Sequence, residues 1–383
     1  MELDLMNLWF GKTADYFKQF ISDQTIGMAR INRFDFTTLP INLLYLLYYE
    51  YRRNEKESLN FSFFEYGKNS NGNPDDDRWE MYLELQEMYA ILQRWYNDKE
   101  LYHYLGFLFF NFKAQTPFRD IYTQWKTLNS RDKFLKDIQH TIATRMLDRY
   151  LEETEKAAPD YQKCLKTMTE AISDFRENWY NNDKELYQIL ILLDIFRILD
   201  SKSIKKLPTD YFTRKSGQKD GEDKEHILSQ TPRKDNGEIA TIKTDWEKFA
   251  QSEDFKDIRS QMQEILNHSD AELTEQELTQ LQNLLNSAGL NSIGNMVLLD
   301  LRINRSYGNA DYAHKRTIIF QEYMNQKYVR PHTLAVFMKG DIDAREATGI
   351  PLNRWTLEDI KRNTDKIAKE IGKNFNAWLT QNN

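Results

Sequence analysis

Cysteine is almost missing: the 383 residues hold one, Cys164. A lone thiol forms no internal disulfide, and without paired cysteines no cysteine-built zinc staple can form. Proline (8) and glycine (14) are also sparse, so the punctuation that separates short strands is thin and long helices are favoured. No long apolar run occurs. The most apolar stretch, Tyr187 to Leu199, is broken by Asp194 and Arg197, and no basic start leads into an apolar cleavage segment, so neither export nor membrane spanning is indicated. The expected setting is the cytoplasm. Positive charge is not in excess either, since 52 Lys and Arg against 59 Asp and Glu leave a net charge of −7. That argues against a protein that grips nucleic acid over its whole surface, because phosphate neutralisation supplies such affinity.

What is present suffices for sizeable cores, with 40% apolar and 13% aromatic residues. Residues 1 to 200 read as nearly all helix. Trp79 to Tyr96 and Glu185 to Leu199 place apolar residues three and four apart, and the aromatics recur at the same spacing, which marks them as core. Lys68 to Pro74 reads as a loop, with Asp75, Asp76 and Asp77 suited to the positive start of the next helix. Ser201 to Asp223 is polar and basic and carries Pro208, Gly217 and Gly221. The expected division is a helical scaffold or docking domain over 1–200, a linker over 201–222 and a second domain over 223–383. In the latter, Thr274 and Glu277 form a capping box for a helix through Leu285, which Gly289 is suited to stop. The fold class expected is mostly α, with a helical insertion between two strands.

Chemistry concentrates in a divided signature. Glu225-His226-Ile227-Leu228-Ser229-Gln230 is answered about seventy residues later by Ile293-Gly294-Asn295-Met296-Val297-Leu298-Leu299-Asp300-Leu301-Arg302-Ile303-Asn304. An acid beside a histidine on one short strand, with asparagines flanking a second, suits metal-dependent phosphodiester hydrolysis. Imidazole has the unperturbed pKa to activate water near neutral pH, so His226 is the candidate base. A hard cation, Mg²⁺ or Mn²⁺, takes oxygen ligands, and Glu225 and Asn304 are the candidates. Asn309 and His314 are alternatives to Asn304. Neighbours on a strand point to opposite faces, so Glu225 and His226 share a site only if the strand end twists. Asn295 is either a turn residue after Gly294 or part of the site. Between Leu301 and Pro331, Arg302, Arg305, Lys315, Arg316, Lys327 and Arg330 stand against Asp311 and Glu322, 6 − 2 = 4 positive charges in excess. Beside such a signature they read as contacts to a phosphate backbone, with Lys315 and Arg316 nearest. His103, His140, His268 and His332 lack such neighbours and read as structural.

These motifs resemble the GmrSD-type type IV restriction endonucleases, whose C-terminal module is a divergent His-Asn-His (HNH, ββα-metal) nuclease. The likeness runs from Asn304-Arg305-Ser306-Tyr307-Gly308-Asn309-Ala310 into His314-Lys315-Arg316, and on through Tyr328-Val329-Arg330-Pro331-His332-Thr333 and Trp355-Thr356-Leu357-Glu358-Asp359-Ile360. Upstream, Arg33-Phe34-Asp35-Phe36, Trp95-Tyr96 and Tyr102-His103-Tyr104-Leu105-Gly106 are similar to the family's helical middle section. The resemblance implies a DNA endonuclease subunit directed at modified DNA. His226 is then the base, Asn295 the brace of its loop, Glu225 and Asn304 the metal ligands, and Lys315 with Arg316 the phosphate contacts. A non-cutting docking subunit and an RNase of the same fold are the alternatives. The family's N-terminal ParB-like, nucleotide-dependent domain, with its Asp-Gly-Gln-Gln-Arg type motif, has no counterpart run here. The resemblance therefore implies a split or truncated system with a ParB-like partner. Leu8, Trp9, Phe10, Tyr16, Phe17 and Phe20 are expected to form an exposed patch that receives it.

Overall fold

The computed structural model describes residues 12–31, 40–52, 74–202, 206–214, 221–229, 231–232, 238–303, 311–339 and 353–380. Two compact units emerge. One holds the described residues up to Met146 together with Ser201–Thr213, and the other holds Leu147–Asp200 with Arg214–Thr380. Packing therefore divides the chain elsewhere than composition does. Leu147–Asp200, helical like what precedes it, belongs to the second unit, and part of the polar 201–222 stretch is built into the first. The reason lies in two buried side chains, Leu207 and Phe212, both 0% exposed. Phe212 packs on Tyr102, and Leu207 gives its N–H to His103 Nε2 at 2.9 Å.

The first unit contains α1 (Lys12–Lys18), α2 (Asp23–Ile31), α3 (Pro40–Arg52), α4 (Pro74–Asn97), α5 (Lys99–Asn111), α6 (Phe118–Leu128) and α7 (Arg131–Leu147). Because α4 starts at Pro74, Asp75 to Asp77 occupy its first turn, as the sequence suggests; the loop before it lies outside the described residues. Asp98 caps α5 by accepting from the N–H groups of Glu100 and Leu101, and Arg131 clasps the same carboxylate at 2.9 and 3.0 Å. The aromatics form the core, with Tyr16 stacked on Tyr102 and Phe20 on Phe109. This corrects the expectation of an exposed patch for three of its members: Tyr16, Phe17 and Phe20 are 0%, 0% and 2% exposed. Tyr16 and Phe17 on α1 and Phe20 just beyond it turn inward, Tyr16 and Phe20 against α5 and Phe17 against Tyr96 of α4. Leu8, Trp9 and Phe10 lie outside the described residues.

The second unit contains α8 (Tyr161–Ser173), α9 (Asp183–Asp200), β1 (Glu222–His226), α10 (Lys243–Ala250), α11 (Arg259–Asn267), α12 (Glu275–Ser287), β2 (Met296–Asp300), α13 (Tyr312–Met324), α14 (Pro331–Met338) and α15 (Leu357–Thr380). The protein is mostly α. Among the described residues its one sheet is the antiparallel pair β1 and β2, in which Glu222 faces Asp300 and His226 faces Met296. Helices α10 to α12 form the insertion between the strands. The capping box opens α12, with Thr274 N donating to Glu277 Oε2 at 2.7 Å and Glu277 N to Thr274 Oγ1 at 3.3 Å. Gly289 follows at φ +92°, a conformation that side chains disfavour.

Burial explains the assembly of this unit. Every residue of β2 is buried, and Val297 and Leu299 join Ile227, Trp246, Leu281, Phe337 and Ile360 in one apolar core. Helix α15 turns Ile360, Ile367, Ile371 and Phe375 inward and packs on α8 and on the 3₁₀ turn Ile293–Asn295. That last contact is so close that a Cβ on Gly294 would sit 2.3 Å from the carbonyl oxygen of Ile360. Helix α14 lies against α9 and β2. No described helix is long and apolar enough to cross a membrane.

Candidate active site

The site forms where β1 ends. Val297, opposite Glu225 in the ladder, and Met296, opposite His226, mark the two faces of the ribbon. Glu225 accordingly turns to α13, where its Oε1 accepts from Lys315 Nζ at 3.0 Å. His226 turns the other way, and its ring stacks on Tyr180 with centroids 4.8 Å apart and planes 20° apart. Its Nε2 lies 2.9 Å from Asn291 Oδ1. The two side chains thus have separate partners. Because His226 is the last residue of the strand, its ring stands at the ribbon's end.

Asn295 holds the chain just beyond the histidine. Its main-chain oxygen accepts from Ile227 N at 2.9 Å, its Oδ1 accepts from Leu228 N at 2.8 Å, and its Nδ2 donates to the carbonyls of Leu228 and Leu290. The side chain is fully buried. Turn residue and brace are here the same thing.

Lys315 is placed otherwise than a phosphate contact would be. Its side chain is 0% exposed, and besides Glu225 its ammonium donates to His226 O at 2.7 Å. Burial pushes its pKa below the usual lysine range, and the neighbouring Glu225 carboxylate pulls it back up. Arg316, one residue on, is half-exposed; its Nε donates to Phe337 O at 2.9 Å and its guanidinium lies over the Phe320 ring. His314 is exposed in the first turn of α13, its N–H capped by Asp311 at 2.8 Å.

Much of the expected cationic patch is engaged within the protein. Arg330 is 3% exposed and bridges Glu222 Oε2 at 2.7 Å and Asp194 Oδ2 at 2.8 Å, both carboxylates being buried too. Arg302 pairs with Asp300, and Lys327 with Glu322. Arg305, Asn304 and Asn309 lie outside the described residues. Tyr180 and Asn291 carry no motif, and the run that holds Arg330 does not announce its pairing with Glu222 and Asp194. Only Asp194 signals from the sequence, since an acid inside the most apolar stretch needs a cation.

Among the described residues no group of three or more His, Cys, Asp or Glu side chains stands ready to hold a metal. The donor chemistry nevertheless fits a hard cation, which keeps several waters and takes one or two carboxylates. Glu225 gives one oxygen to Lys315, and its other oxygen has no hydrogen-bond partner among the described residues.

The comparisons fall on this same unit. A family model described as GmrSD restriction endonucleases, C-terminal domain, matches residues 169–370, more than half of the chain. No curated protein matches, and no solved structure does. The matched span runs from α8 into α15 and takes in both strands, the insertion and α13. It defines a restriction endonuclease domain, and so a nuclease. The chain belongs to the GmrSD restriction endonuclease family.

Proposed function

We propose that the chain is a metal-dependent DNA endonuclease of the HNH type. The observation that supports this most is the end of β1, where His226 is seated on Tyr180 and Asn291 while Asn295 braces the chain behind it. A histidine held at a strand end suits proton removal from water, while the neighbouring Glu225 carboxylate faces the other side of the ribbon. His226 takes that proton. Asn295 keeps the loop fixed, Arg316 offers a half-exposed guanidinium to the backbone, and Lys315 orders Glu225 together with the His226 carbonyl. Glu225 with Asn304, Asn309 or His314 would hold Mg²⁺ or Mn²⁺, which when bound would neutralise charge on the phosphate and leaving oxygen.

His226→Ala tests the reading. Cleavage of labelled DNA should fall by about two to four orders of magnitude, the usual contribution of a positioned base, while DNA binding and the circular-dichroism spectrum persist. Cleavage near the wild-type rate would overturn it. The same assay with labelled RNA separates an RNase, and a wild-type chain that binds without cutting marks a docking subunit.

The substrate and partner rest on family membership and not on any residue of the site. We propose modified DNA as the target and a ParB-like, nucleotide-dependent module as the regulator. Cutting of modified over unmodified DNA, dependent on nucleotide once that module is added, is the expected result. A chain indifferent to modification, nucleotide and module would remove both proposals.

A further inference from the structure

Asn291 belongs to no motif, yet it touches the site twice. Its Oδ1 stands 2.9 Å from His226 Nε2, and its Nδ2 donates to Asn286 Oδ1 at 2.7 Å. Its main-chain oxygen accepts from Trp179 N at 2.9 Å, in the 3₁₀ turn Trp179–Asn181 that carries Tyr180. One residue therefore orients the histidine ring through its side chain and ties down, through its backbone, the turn whose tyrosine stacks on that ring. It is 5% exposed. Water does not readily replace it.

From this geometry we infer that Asn291 is a positioning residue that fixes the tautomer and ring orientation of His226; the inference rests on His226 being the base. With Nδ2 given to Asn286, the amide presents an acceptor, Oδ1, to the imidazole. The ring nitrogen facing it must then carry the hydrogen. In a neutral imidazole one nitrogen donates and the other keeps the lone pair, so hydrogen on Nε2 puts the lone pair on Nδ1. Asn295 and Asn291 divide the work of one short turn: the first holds the main chain at Leu228, the second holds the ring.

The experiment has two arms. In the first, protein labelled with ¹⁵N-histidine is studied without metal or DNA, at a pH where the imidazoles are neutral, and the His226 signal is assigned by its loss in His226→Gln. The wild type should show His226 as the Nε2–H tautomer, and Asn291→Leu should show a mixture. Predominance of Nδ1–H in the wild type overturns the inference. In the second arm, Asn291→Leu should lower kcat for DNA cleavage roughly 10- to 100-fold, the usual cost of losing an orienting partner, with KM little changed. Asn291→Asp, which retains the acceptor, should recover most of kcat. Asn291→Leu at wild-type kcat, or no recovery in a folded Asn291→Asp, overturns it. Should the wild type not cleave at all, the nuclease reading fails, and the tautomer arm still decides on Asn291.

Discussion

Lys315 and Glu225 form an ion pair at 3.0 Å in which the ammonium is 0% exposed and the carboxylate 18%. The same ammonium reaches the His226 carbonyl at 2.7 Å, so one lysine joins α13 to the last two residues of β1. A buried cation of this kind stabilises only while its acceptors are present.

Lys315→Met should therefore destabilise the protein by about 3 kcal/mol, the low end for breaking a buried pair, since Glu225 keeps some access to water. Urea denaturation reads this directly. Lys315→Arg should not restore the loss, because a planar fork does not fit a pocket closed around a point charge. A loss below about 0.5 kcal/mol for Lys315→Met would show that the pair contributes little.

Arg330 offers the sharper test, for all three members of its triad are buried. Arg330→Met leaves Asp194 and Glu222 without their cation, at a cost of about 3–5 kcal/mol. Burial raises the Asp194 pKa while Arg330 opposes it. Without Arg330 that carboxyl should take up a proton at higher pH, visible as a new pH dependence of stability in denaturant melts.

Gly294→Ala should fail for a steric reason. The added methyl would meet the Ile360 carbonyl and Thr364 Oγ1 at 2.3 Å and the Thr364 nitrogen at 2.7 Å. Backbone cannot yield as a side-chain tip does, so α15 or the Ile293–Asn295 turn must shift. Overpacking of this sort costs about 1–3 kcal/mol. Since Asn295 is the next residue, cleavage should fall with stability; a variant with unchanged melting and activity would refute the close approach.

His103 predicts an acid limb. Its Nδ1 donates to Lys99 O at 2.5 Å and its Nε2 accepts from Leu207 N at 2.9 Å, so a second proton has no place, and burial pushes the pKa down from 6.5 to about 4. In the unfolded chain the ring protonates near 6.5. Stability is thus full above that pH and is lost as pH falls from about 6.5 to about 4, by up to about 3 kcal/mol at 1.36 kcal/mol per unit. His103→Gln, which keeps a donor and an acceptor, should flatten that limb in melts across this range.

Legibility followed periodicity and chemistry. The helical character, β2 and the capped helix of the insertion follow from apolar spacing and from Thr274 with Glu277, signals that act within a few residues, whereas β1, Glu222-Asp223-Lys224-Glu225-His226, has no apolar residue and shows only through its Glu-His motif. Glu225, His226 and Asn295 stand out because their types are costly to place without purpose. Long-range pairing is silent. Nothing near Lys315 or Arg330 tells a buried cation from a solvated one, so both read as surface charges. Tyr16, Phe17 and Phe20 read as an interface because their partners, Tyr102, Tyr96 and Phe109, are about eighty to ninety residues away in the chain. Leu147–Asp200 resembles the preceding helices in composition, and only packing assigns it to the second unit. Asp194 was the clue available: it looked like an interruption of an apolar run and is in fact half of a bond.

The ribbon also dictates an order of events. Leu228 bonds to Asn295 across 67 positions, and all of α10 to α12 lies between the strands. Closing so long a loop while it is unstructured costs entropy with little return, and contacts this distant in sequence form slowly. The strand pair should zip only after the insertion has condensed into a short spacer. In pulsed hydrogen exchange during refolding, amides of α12 should gain protection before those of Ile227 and Leu228, which makes the histidine's seat among the last parts of the molecule to exist.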